Sequence, residues 1–152
     1  MKTKNIVLLC AGILSFCAAI FQLVISIVPK WSAFFGAGDE LVSNRLMLLA
    51  AGLGVTILLV IWGFYGLSGA GLIRRLPLLR LAIFLIGTIY IFRGLPIFLK
   101  LLEMVKILPP SGAIELPGFL VFLGALIAGI FYWVGLSIGW RQLRLKERFA
   151  RA

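Results

Sequence analysis

Between Arg45 and Arg74 the chain runs for 28 residues without a charge. An apolar helix of about 18 residues or more is long enough to span a bilayer. Three further apolar runs lie over Ile6 to Val28, about Leu76 to Phe92 with Arg80 near its start, and Gly118 to Trp140. Hydrophobic residues make up 62% of the chain and charged residues 13%. A soluble domain carries about half apolar residues and about a quarter charged ones. The excess lies in the runs, so the expectation is an all-α integral membrane protein. Residues 1–152 then form one domain, a four-transmembrane-helix bundle with spans over about 6–28, 46–69, 76–93 and 118–140.

The first run follows Lys2 and Lys4. A signal peptide also starts positive, but its apolar region is about 7–15 residues and ends at a small-residue site. This run continues to Pro29 without an A-x-A site and reads as an uncleaved helix. Residues 29–44 form the first loop, with Trp31, Phe34 and Phe35 suited to a membrane interface and Ser43 or Asn44 to capping the next helix. After Arg93-Gly94-Leu95-Pro96 comes IFLKLLEMVK, residues 97–106. Its apolar residues recur with helical period opposite Lys100, Glu103 and Lys106, which suits a short interfacial helix. Residues 107–117 are turn-rich, and 141–152 form a basic tail.

The net charge of +10 does not make this a nucleic-acid binder, because the cations sit at the ends of apolar runs. There they set orientation. Lys2, Lys4, Arg74, Arg75, Arg80 and the five cations of the tail fall on one side. Lys30, Arg45, Lys100 and Lys106 fall on the other. The positive-inside rule then places both ends of the chain in the cytoplasm.

YGLSGAGLIRRLPLLR, residues 65–80, holds glycines beside arginines. A dinucleotide loop needs a preceding strand and a third glycine, and Arg74 occupies that third position. The stretch therefore reads as a hairpin turn in which glycines end the second span and Pro77 opens the third. Arg74, Arg75 and Arg80 then lie at the level of lipid phosphates, as candidate contacts to anionic headgroups or a partner. Each basic residue near such a surface contributes about 1 kcal/mol. Arg93, about 25 Å from Leu76 by helical rise, is expected at the extracytoplasmic end of the third span. An ion pair with Asp39 or Glu40 would tie the first loop to that helix.

Small residues recur at four-residue spacing at Ala11, Ser15 and Ala19, and in pairs such as Ala50 with Gly54 and Gly124 with Ala128. They mark close helix packing, expected among the first, second and fourth spans. Polar groups within the spans are Ser15, Gln22, Ser26, Thr56, Thr88 and Ser137. No acid or base is expected mid-membrane, unlike proton-coupled transporters. The chain has no His, which removes the usual general base and His-ligated metal or haem sites. Cys10 and Cys17 lie about 10 Å apart along one helix, too far to bridge. No catalytic set, metal site or cofactor site is indicated. Trp62, Tyr65, Tyr132 and Trp133 read as packing or interface residues, with a lipid or quinone pocket as the alternative.

At WSAFFGA, residues 31–37, and at YGLSGAGLIRRLPLLR continuing to YIFRGL, residues 90–95, the chain resembles uncharacterised small four-span inner-membrane proteins of bacteria. That resemblance implies a bacterial inner membrane and brings no activity or ligand with it. The functional expectation is a non-enzymatic protein that contacts lipids, a larger membrane protein or a second copy of itself. The alternatives are a small oligomeric transporter or channel with a polar seam through Gln22, Thr56 and Thr88, a lipid-linked enzyme using Asp39, Glu40 and Arg93, and an immunity-type membrane protein.

Overall fold

A computed structural model describes residues 5–35, 38–107 and 116–149. All elements among them are helical: α1 (Ile6–Ile27), α2 (Pro29–Phe34), α3 (Asp39–Ser43), α4 (Arg45–Ala70), α5 (Leu79–Gly94), α6 (Pro96–Met104) and α7 (Leu116–Phe149). Four stretches among the described residues are long and apolar enough to cross a membrane: Ile6–Ile27, Arg45–Ala70, Leu79–Glu103 and Gly118–Gly139. The molecule is an all-α, multi-pass membrane protein.

Local chemistry sets the helix ends. The Asn5 side chain accepts from the Leu8 N–H at 3.2 Å and opens α1. Asn44 does the same for α4 through Met47 at 3.2 Å. Pro29, without an N–H, starts α2 directly after α1. The expected first loop thus contains two short helices. At the far end of α4, Gly71 takes a left-handed conformation (φ 82°), with Gly71 N–H on the Ser68 carbonyl and Leu72 N–H on the Leu67 carbonyl. This is a Schellman stop, which glycine adopts without steric cost. The third helix begins later than expected. Pro77 precedes it, Leu78 is left-handed (φ 52°), and Leu79 is its first residue.

The short helix expected over 97–106 is present as α6. Only Leu95 separates it from α5, and Leu95 itself has helical dihedrals. α6 packs on α7, with Ile97 buried. The apolar run therefore continues past Arg93 to Glu103.

The bundle is two tight pairs. α1 packs most extensively on α4, and α5 on α7, with lesser contact from α1 to α7 and from α4 to α5. The expected grouping of the first, second and fourth spans is corrected on this point: the third span is the close partner of the fourth. Backbone proximity explains it. A Cβ added at Gly94 would stand 2.7 Å from the Leu126 Cβ, and one at Gly129 would stand 2.9 Å from the Ile91 nitrogen. In the other pair a Cβ at Gly66 would come within 2.5 Å of the Gly12 Cα. The two pairs meet through Leu8, which a Cβ at either Gly69 or Gly135 would strike. Asn5 adds to this junction by donating to the Gly135 carbonyl at 2.7 Å.

Candidate functional site

Ser15 of α1, Tyr90 of α5 and Tyr132 of α7 are all buried and meet at the centre of the bundle. The Tyr90 hydroxyl lies 3.0 Å from the Ser15 Oγ, and Ser15 lies 2.9 Å from the Tyr132 hydroxyl. Tyr132 donates to the Trp62 carbonyl of α4 at 2.8 Å. The carbonyl only accepts, so the single Tyr132 proton is committed to it. Ser15 must then donate to Tyr132, and Tyr90 to Ser15. One directed chain of three hydrogen bonds joins all four long helices. The rings support it: Tyr90 stacks on Tyr132 at 5.9 Å and meets Trp62 edge-on at 4.9 Å. Every hydroxyl proton in the chain is used, so it fastens the bundle.

Other intramembrane hydroxyls are satisfied locally. Thr56 donates to the Gly52 carbonyl, Thr88 to Phe84 and Ser137 to Val134, at 2.7–2.8 Å. Ser26 donates to the Gln22 carbonyl at 2.7 Å and fits the gap left by Gly52. A transport seam through Gln22, Thr56 and Thr88 gains no support from these bonds, which run within single helices.

At the turn after α4, Arg74 and Arg75 are exposed and Arg80 is half-buried. The turn is held in shape by Ser68, whose Oγ donates to the Arg74 carbonyl at 3.2 Å and accepts from the Leu76 N–H at 3.0 Å. The first turn of α5 follows with no side-chain cap from Leu78. Its leading N–H groups carry the positive end of the helix dipole. Three arginines and an uncapped helix start thus share one end of the bundle.

Arg93 and Glu40 are both exposed, and no ion pair joins them among the described residues. The side chain of Asp39 lies outside the described residues. Arg93 also sits deeper than the sequence suggests. Its neighbour Gly94 packs at the level of Leu126, eight residues and about 12 Å inside Gly118. Tyr90 is level with Ser15, about 18 Å inside Ile27, and Arg93 is about 4.5 Å nearer that end. Glu103 lies a further ten residues, about 15 Å, along its own run. Along α1 and α7 roughly 12–14 Å of apolar helix lies beyond the level of Arg93, while its own run continues through Lys100 to Glu103. The expectation of a span free of charge and ending at Arg93 is thereby corrected, because α6 prolongs that span along α7.

Tyr90 and Asn5 carry much of this geometry and were not singled out in the sequence. Their signals are an aromatic hydroxyl inside an apolar run, and a capping residue just before one. Comparison with known proteins finds no matching family model, no similar curated protein and no similar solved structure.

Proposed function

We propose that this is a non-enzymatic protein of a bacterial inner membrane, with both ends of the chain in the cytoplasm. In this reading its cytoplasmic face holds anionic lipid headgroups through Arg74, Arg75 and Arg80. The observation that carries it is the pinned turn. Ser68 and the Gly71 stop fix the backbone that presents Arg74 and Arg75, so their cost of ordering is reduced. The adjacent uncapped start of α5 favours an anion further. The interior hydroxyls, by contrast, are spent on fastening helices. The excess of cations on this side supports the orientation.

Thermal unfolding in neutral detergent with added phosphatidylglycerol or phosphatidylcholine tests the reading. Phosphatidylglycerol should raise the midpoint of the wild type, as a ligand of the folded state does. The Arg74→Gln/Arg75→Gln variant should lose that rise. An equal response to both lipids, or an unchanged response in the variant, would remove the proposal.

A further inference from the structure

Arg93 is exposed, yet its level lies about 12–14 Å inside the apolar spans of α1 and α7. A cation at such depth is costly and ordinarily marks a site. Its side of the helix can be read from the register. Arg93 follows Ile86 by seven residues and Tyr90 by three, so it shares their side of α5. Tyr90 meets Trp62 of α4 on that side, whereas Gly94 and Ile91 face α7.

α4 leaves this side uncovered. It runs antiparallel to α5, so beyond the Trp62–Tyr90 contact the residues level with Arg93 come from its stretch before Trp62. There Leu58 is 44% exposed and Val55 is 39% exposed. On α5, Ile89 is 48% exposed one turn away. Val55 and Leu58 share the Trp62 side of α4 by helical register, so with Ile89 they border the Tyr90–Trp62 contact as exposed aliphatic side chains. The Tyr90 proton is directed inward to Ser15, which leaves the phenol oxygen as a dipole that favours the cation.

We propose that a crevice between the two helix pairs at this place binds an anionic amphiphile, one carboxylate or phosphate on an apolar chain, with the acidic group on Arg93 and the chain along Ile89, Leu58 and Val55. A guanidinium suits both acids through paired N–H donors. An apolar chain suits a crevice that opens on lipid rather than on water. The site is separate from the arginine turn, which lies at the other end of α5.

The test uses diazirine-bearing palmitate, diazirine-bearing lysophosphatidate and a neutral diazirine monoacylglycerol, each added to the purified protein in neutral detergent and photolysed. Peptide mass spectrometry then maps the label. The two acidic probes should label α4 and α5 near residues 55–58 and 89–93, about tenfold above the neutral probe, since a charged hydrogen bond of this kind is lost with the acid. Arg93→Gln should reduce the acidic label to the neutral level, Arg93→Lys should retain part of it, and Arg74→Gln/Arg75→Gln should leave it unchanged. The comparison of acidic with neutral probe in the wild type stands even if Arg93→Gln fails to fold. Equal labelling by all three probes would overturn the proposal. So would displacement by millimolar inorganic phosphate, which would assign a small-anion site, or cross-links from this crevice to a second protein chain. Loss of label only in the Arg74→Gln/Arg75→Gln variant would also overturn it and leave the arginine turn as the lipid site.

Discussion

Removing the Ser15 hydroxyl takes away the acceptor for Tyr90 and the donor to Tyr132 in one step. Hydrogen bonds between membrane helices contribute about 0.6 kcal/mol on average and up to about 1.7. Ser15→Ala should therefore cost about 1–2 kcal/mol, and Tyr90→Phe, which loses one terminal bond, about 0.6. Unfolding in mixed detergent micelles measures both, and the reverse order would contradict the directed chain. Ser15 stood out in the sequence as a polar group in an apolar run, and Tyr132 as a packing or interface aromatic. Their meeting did not, because helical period gives the face of each helix and not which faces meet. Arg93 was visible as well, but its depth depends on α6 lying along α7, which local sequence does not encode.

Glycines at the scale of the helix divide into two kinds. Gly66 lets α4 touch the backbone of α1, and Gly129 lets α7 touch that of α5. A methyl group at Gly66 meets the Gly12 main chain, which cannot yield without parting the helices. Gly66→Ala should cost about 1–3 kcal/mol by overpacking. Gly54 and Gly124 open on empty space. Gly54→Ala should be neutral or stabilising, with up to about 1 kcal/mol from helix propensity. Thermal unfolding of the two variants side by side checks the division, and a loss in both would contradict it. The four-residue spacing of small residues marked Gly54 and Gly124 and passed over Gly66, so it did not separate close contact from open space. The spans themselves were legible to within a few residues, since apolar length and caps such as Asn44 are local. The fastening of α5 to α7 was not, because Gly87 and Gly94 lie among bulky neighbours in the sequence.

Among the described residues, two helix pairs fastened at mid-depth and at the Asn5 end form the bundle. Both proposed lipid contacts depend on how that bundle sits in the bilayer. The turn after α4 must lie on one side with the start of α1, and α2 on the other. Cysteine accessibility tests this most directly, in a background carrying Cys10→Ala and Cys17→Ala. Ala33→Cys reports the loop side and Leu72→Cys the turn, both at exposed positions. A membrane-impermeant maleimide should label residue 33 and spare residue 72 in intact spheroplasts, and do the reverse in inside-out vesicles. Labelling of both from the same side would contradict the four-span bundle, and the opposite pattern would contradict its orientation.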